Sequence, residues 1–240
     1  MGKKSYNSNN YGPYRDSEVH PADDLRETFL QDFKPRNSRQ TEVLQSIINN
    51  QLNFLVGPAG TAKTFLSVTA AWIRLMEKKT NGIVFVRPAV EAADSVGYLP
   101  GRLEEKMYNF VKPSIEALKK FVDGDMIIKD LLDSKCLEFT SISFMRGITY
   151  EKVDVVCDEM QNATRKDLKT AITRIGPGCN MYITMDPEQC DLEDSSQSAI
   201  NDLSLFHGAH GISMTQFGIQ DVVRSGIVKK ILDCYREGHR

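Results

Sequence analysis

The apolar positions of this chain gather into short runs separated by stretches of helical spacing. Runs at 52–56, 83–86, 137–141, 153–157, 181–184 and 211–214 read as buried strands. Most are near-continuously apolar, which implies a sheet covered on both faces. Positions 66, 69, 70, 73 and 76 recur at helical spacing and predict a helix over 65–76 with one buried face. Thr164, followed by Asp167, is a capping-box start for a helix carrying Leu168, Ala171, Ile172 and Ile175. Asp221 is placed to cap a last helix whose Val223, Ile227, Ile231 and Leu232 face inward. Strand and helix in alternation predict an α/β fold, a mainly parallel sheet with helices on both faces.

Two stretches break the alternation. Residues 1–24 are rich in Asn, Ser, Tyr, Gly and Pro without an apolar face and read as a flexible arm, leaving 25–240 as a single domain. Lys3 and Lys4 with Tyr6, Tyr11 and Tyr14 could contact nucleic acid, but a plain solubilising tail is the simpler reading. From about 91 to 122 the chain carries GYLPG and then two helical pieces divided by Pro113. Their apolar faces are Leu103, Met107 and Phe110, then Ile115, Leu118 and Phe121. Proline sits badly inside a helix but well at its start, so this is a helical insertion after the second strand.

Composition narrows the function classes. A chain of 240 residues, 41% hydrophobic and 26% charged, is globular and builds its own core. A net charge of −2 gives no global pull toward nucleic acid or anionic lipid, so any such contact needs a local basic patch. Cys136, Cys157, Cys179, Cys190 and Cys234 form no C-x-x-C pair, which argues against a zinc knuckle or redox motif and for a reducing compartment. No run approaches the roughly 18 apolar residues of a membrane span, and the N-terminus has no signal h-region. A cytoplasmic protein is expected, with no membrane partner.

The chemistry is written in NFLVGPAGTAKTFLS, residues 53–67, which runs strand, loop, helix. Gly57, Pro58, Ala59, Gly60, Thr61, Ala62, Lys63 and Thr64, with Phe65 behind them, form a phosphate-binding loop in its required context. Backbone N–H groups of the loop and helix start point at the phosphates. Lys63 supplies a point charge to the β- and γ-oxygens, and the Thr64 hydroxyl ligates Mg²⁺. Ala62 stands where a glycine is usual, tolerable if its φ is negative. An acidic pair should close the site from a neighbouring strand, and Asp158-Glu159 supplies it. Asp158 would hold Mg²⁺ through water; Glu159 would orient and deprotonate the attacking water. The strand at 181–184 leads to Asp186-Pro187-Glu188-Gln189, where Gln189 can face the γ-phosphate, although an ordinary turn would look the same.

The stretches GPAGTAKT, VRPAVEAADSVGYLPGRLEEKM, FMRGITYEKVDVVCDEMQNAT, TRIGPGCNMYITMDPEQCDL and DVVRSGIVKKILDCY resemble the PhoH family of ATPases, over about 37–235. The resemblance implies a three-layer α/β/α RecA-like P-loop fold, similar to the first domain of superfamily 1 helicases. It implies that Gln40 reads adenine, favouring ATP, and that Gln161 and Gln189 link the γ-phosphate to the nucleic-acid side. It implies that Arg224 touches the γ-phosphate of an adjoining subunit. No second RecA-like domain fits in 240 residues, so a homo-oligomer would supply that arginine, a ring and a hexamer first. Single-stranded RNA is the partner implied. Arg87 and Arg146 are candidates for nucleotide or RNA contact, or else structural ion-pair partners. Met185 replaces the family's glycine before the aspartate, and with Ala62 it raises a slow or binding-only variant. Short length and drifted motifs suggest a bacteriophage-encoded member, working in the host cytoplasm.

The leading expectation is thus a homo-oligomeric Mg²⁺-dependent ATPase coupled to nucleic acid. A non-hydrolysing module switched by ATP is the second reading, and a small-molecule kinase the third, disfavoured by Glu159. Nothing in the sequence assembles a ribonuclease site; His207 and His210 belong to a surface loop before the last strand.

Overall fold

The computed structural model describes residues 35, 38–88, 112–122 and 124–223, with 227, 230, 231 and 234. The N-terminal arm, most of the first half of the insertion and Arg224 lie outside the described residues. Six strands, β1 (Leu52–Val56), β2 (Ile83–Arg87), β3 (Leu137–Ser141), β4 (Asp154–Cys157), β5 (Met181–Met185) and β6 (Ile212–Gln216), form one sheet in the order β3-β2-β4-β5-β1-β6. Every pairing is parallel. The helices of the described residues include α1 (Ser38–Asn49), α2 (Lys63–Met76), α3 (112–118), α4 (Asp125–Asp133) and α5 (Arg165–Ile172), with a 3-10 helix at Ala199–Phe206 and helical positions at 227, 230, 231 and 234.

Alternation along the strands builds two cores. Leu55, Phe85, Val156 and Tyr182 point to one face, where Ile47 of α1, Leu75 of α2, Leu118 of α3 and Leu131 of α4 meet them. Phe54, Val84, Val155 and Ile183 point to the other, against Leu168 and Ala171 of α5. Both faces of the inner strands β1, β2, β4 and β5 are therefore dry, whereas the edge strands β3 and β6, expected to be buried, are only partly covered and carry polar residues.

Helix α2 departs from the single buried face expected of it. Its buried residues go round the cylinder, from Leu66 and Val68 to Trp72, Arg74 and Leu75. It lies between the sheet and the helices α1 and α3, where Phe121 stacks at 6.1 Å on Trp72 and at 5.8 Å on Phe65. Pro113 lies within the described helical residues 112–118, and Ile115, Leu118 and Phe121 are buried. Among the described residues no helix is long and apolar enough to cross a membrane.

Beneath the sheet, Arg74 donates to Asp154 at 2.8 Å, and Asp154 also accepts from Tyr182 Oη at 3.2 Å and the Asn180 N–H at 3.0 Å. This ties α2 to the start of β4 and the start of β5. Burial pushes the Asp154 carboxyl up to about 6, against the pull of Arg74 and its hydrogen bonds.

The C-terminal helix differs from expectation. Asp221 closes a 3-10 turn, Ile219–Asp221, and its carboxylate accepts from the Gly218 N–H at 2.8 Å. With that side chain spent locally, the helical positions begin further on. Ile227 and Ile231 are 64% and 47% exposed, facing outward where the pattern predicts inward.

Candidate nucleotide site

The loop after β1 is shaped by two glycines. Gly57 has φ 152, and a Cβ there would stand 2.6 Å from the Phe217 carbonyl oxygen. That approach is fixed because the Phe217 N–H donates to the Val56 carbonyl at 2.8 Å, so only glycine fits. Gly60, with φ 82, makes the second turn. Ala62, which precedes α2, has φ 69 and ψ 24. The condition under which an alanine is easily tolerated here, a negative φ, is therefore not met: the chain reverses in left-handed geometry to aim the helix start at the loop's centre. A left-handed alanine costs about 1–2 kcal/mol, against which glycine's extra unfolded-chain entropy sets about 0.5–1. Ala62→Gly is accordingly expected to raise the melting temperature by up to about 4 °C, read by thermal denaturation without nucleotide.

No side chain caps α2, so its first N–H groups are left to a ligand. Lys63 Nζ spans the loop, donating to the Gly57 carbonyl at 2.6 Å and the Pro58 carbonyl at 2.9 Å. Burial pulls Lys63 below the ordinary lysine range, while Asp186, Glu159 and Asp158 oppose the shift. Those three carboxylates hold a charge that burial would otherwise expel.

Asp158 ends β4 in a knot of donors. Its Oδ1 accepts from Thr64 Oγ1 at 2.7 Å and Thr184 Oγ1 at 2.6 Å, and its Oδ2 from Arg87 at 3.0 Å. The sequence points to an acidic pair beside the loop strand; instead β5 lies between β4 and β1. The gap is what makes room for Thr184, and it brings the end of β5 into the site. Arg87, at the end of β2, is an ion-pair partner of Asp158 here.

Glu159 has φ 58 and begins the 3-10 turn Met160–Asn162. Its N–H donates to Thr184 Oγ1 at 3.2 Å, which holds this strained turn in place. Gln161 is buried, and its amide joins the two strand ends. Nε2 donates to Glu159 Oε2 at 2.6 Å, while Oε1 accepts from the Asp186 N–H at 3.0 Å. Asp186, also buried, accepts from the Glu188 N–H at 3.0 Å, and the turn carries Gln189 to the rim. Burial raises the Asp186 carboxyl, tempered by backbone N–H groups and Lys63.

These groups converge on a cleft of about 520 Å³, with Lys63, Thr64, Glu159, Asp186 and Gln189 in its walls. A P-loop magnesium takes one hydroxyl, one carboxylate and phosphate oxygens rather than a protein cage. Thr64 and Asp158, already hydrogen-bonded, fit that donor set, and no cluster of three protein ligands occurs among the described residues. Gln40, which the resemblance has reading adenine, is buried in the first turn of α1 and is not among the residues that line the cleft. Met185 belongs to the core on the face away from α2, so it does not crowd the phosphate site. Arg146 is outside the cleft.

The PhoH-like protein family matches residues 32–236. The chain belongs to the PhoH-like family. It is 37% identical over 197 residues to the PhoH-like protein of Bacillus subtilis, covering 82% of this chain and 61% of that one. It is 33% identical over 203 residues to the PhoH-like protein of Synechocystis, covering 84% and 62%. The chain thus spans about three fifths of the length of the relatives it matches. Among solved structures, the large terminase from a thermophilic bacteriophage, in complex with ADP, superposes with a TM-score of 0.50 at 12% identity, covering 82% of this chain and 49% of that one. That likeness speaks for the fold, a RecA-like P-loop architecture.

In this PhoH-like protein the site has a wall the motifs do not announce. Pro113, Glu116 and Lys120, at helical spacing along α3 and its end, line the cleft opposite the loop. The apolar face of α3 dominates its sequence pattern, and the spacing of 113, 116 and 120 on the opposite side is the one signal of this wall. Asp186 is likewise a site residue that the sequence leaves in the shade of Gln189, though it is the buried member of the pair. Arg224 lies outside the described residues, but the Val223 N–H before it donates to the Gly60 carbonyl at 2.9 Å.

Proposed function

We propose that this protein hydrolyses ATP with Mg²⁺ at the loop Gly57–Thr64 and couples turnover to a single-stranded nucleic acid, acting as a homo-oligomer. The observation that carries the reading is the convergence of Lys63, Thr64 and Glu159 on one cleft, with Asp158 held 2.7 Å from Thr64 by hydrogen bonding. The loop N–H groups and Lys63 bind and orient the phosphates. Magnesium, held by Thr64 and Asp158, would draw charge from the β- and γ-oxygens. Glu159 takes the proton of the attacking water, and Gln161 fixes the rotamer that faces it. Gln189 sits at the rim, where it would meet the γ-phosphate. Arg224 would complete the charge stabilisation from an adjoining copy. The fold shared with a terminase solved with ADP is in keeping with an adenine nucleotide.

The test is phosphate release from ATP by the purified protein, with Mg²⁺ and with or without single-stranded RNA, across a range of protein concentrations. Turnover is expected to vanish without Mg²⁺, to rise with RNA, and to rise per molecule with concentration as copies assemble. Binding without turnover under every condition would favour the switch-like module. Turnover that appears only with an added acceptor would favour a kinase.

A further inference from the structure

A second hollow, of about 330 Å³, lies across the sheet from α2, beside α5. Its walls carry Arg146, Lys166, Lys169 and Arg174, with Gly147 and Thr170, and no acidic side chain. Among the described residues none of those cations is in an ion pair. Asp167 of α5 closes the capping box with Thr164, and Asp202 takes Arg165, so neither carboxylate is spent on these cations. In a chain of net charge −2, a carboxylate-free group of such cations is a local concentration of positive potential. Positions 166, 169, 170 and 173 share one face of α5 and its C-terminal end, so Lys166 and Lys169 are held on the helix while Arg146 and Arg174 stand on the adjoining turns. Arg174 is tethered as well, donating to the Ile148 carbonyl at 3.4 Å and to Thr173 Oγ1 at 3.1 Å.

A second feature points to the ligand. The 3-10 turn Ile142–Met145 buries Ile142 and Met145 and leaves Phe144 74% exposed, next but one to Arg146. A bare aromatic ring beside a carboxylate-free basic hollow is the combination that binds unpaired bases and their phosphates. A duplex offers no free base face to stack, so the ring argues for a single strand.

We propose that a single-stranded nucleic acid binds here, its phosphates among Arg146, Lys166, Lys169 and Arg174 and a base against Phe144. The site deepens the nucleic-acid part of the proposed function and rests on it. It also has a route to the nucleotide cleft. α5 follows directly on the buried turn Met160–Asn162, in which Gln161 holds both Glu159 and the Asp186 N–H. A strand that shifts α5 therefore acts on the carboxylate facing the attacking water.

The experiment is fluorescence anisotropy with labelled oligouridylate and oligothymidylate at several salt concentrations, on the full chain. The variants are Lys166→Gln with Lys169→Gln, Phe144→Ala, and Lys129→Gln on α4 as a charge control. Binding of a fluorescent ATP analogue shows that each variant is folded. The double variant is expected to weaken binding about tenfold and to lower the salt slope by about 0.7 per lost cation. Phe144→Ala should weaken binding without changing that slope, and Lys129→Gln should leave both unchanged. The assignment is supported whichever oligonucleotide binds more tightly, and the comparison tells ribose from deoxyribose. A wild type that binds while the double variant binds equally, with the same slope, overturns the site but not the coupling to nucleic acid. A wild type that binds neither oligonucleotide at low salt overturns both.

Discussion

Glu159→Gln is expected to keep ATP binding and lose turnover by about 10²–10⁴-fold, the usual worth of a positioned base. The substitution is nearly isosteric and leaves the φ of 58 and the N–H bond to Thr184 undisturbed. What changes is the proton acceptor: the carboxylate that faces the cleft becomes an amide. Gln161 Nε2 can still donate to the amide oxygen, so the link from β4 to the Asp186 turn survives. Lys63→Ala should behave differently, since it removes the charge that spans the loop carbonyls and, on the proposed function, would contact the phosphates. It is expected to weaken ATP binding itself. Equilibrium titration with ATP and single-turnover phosphate release separate the two. A Glu159→Gln protein that hydrolyses within a few-fold of wild type would remove Glu159 from the mechanism.

Arg74→Met is expected to destabilise the fold by about 3–5 kcal/mol, the cost of stranding one member of a buried ion pair. That is a large part of a domain's typical 5–15 kcal/mol, in order of magnitude about 10. Asp154 is fully buried and has its carboxylate between Arg74, Tyr182 and the Asn180 N–H. Burial already holds its carboxyl up at about 6 in the folded protein, against 3.8 for the free group. A group raised on folding contributes stability at low pH that is lost as pH rises through the folded value. Without Arg74 the carboxyl rises further, so at acid pH it is simply protonated and no charge is stranded. The deficit should therefore be smaller at about pH 5 than at about pH 8. Chemical denaturation at the two values checks it, and an equal deficit at both would mean that Arg74 contributes packing rather than charge.

The inner strands are legible in the sequence because burial on both faces forces largely apolar runs, the half-covered edge strands β3 and β6 are less so, and each observed strand lies within about two residues of its expected bounds. The loop and the Asp158-Glu159 pair are legible because their chemistry depends on residues close in sequence. The capping box at Thr164 is legible for the same reason, and both of its hydrogen bonds form. Other contacts cannot be read in this way. Arg87 reaches Asp158 from a different strand, and Gln161 bonds Asp186 across 25 residues of chain. The inward face assigned to Ile227 and Ile231 assumes a partner surface that the described fold does not provide.

The sequence by itself determined the parallel sheet, the phosphate loop and the identity of the acidic pair, because local spacing fixes backbone direction and ligand chemistry. Only the tertiary structure decided the order of the strands, which puts β5 between β4 and β1 and so gives Asp158 its second threonine. It also turned Ala62 left-handed, set α3 over the cleft and gathered a basic hollow on α5. Each of these depends on which distant segments pack together, and packing is decided by the whole core rather than by any stretch of chain.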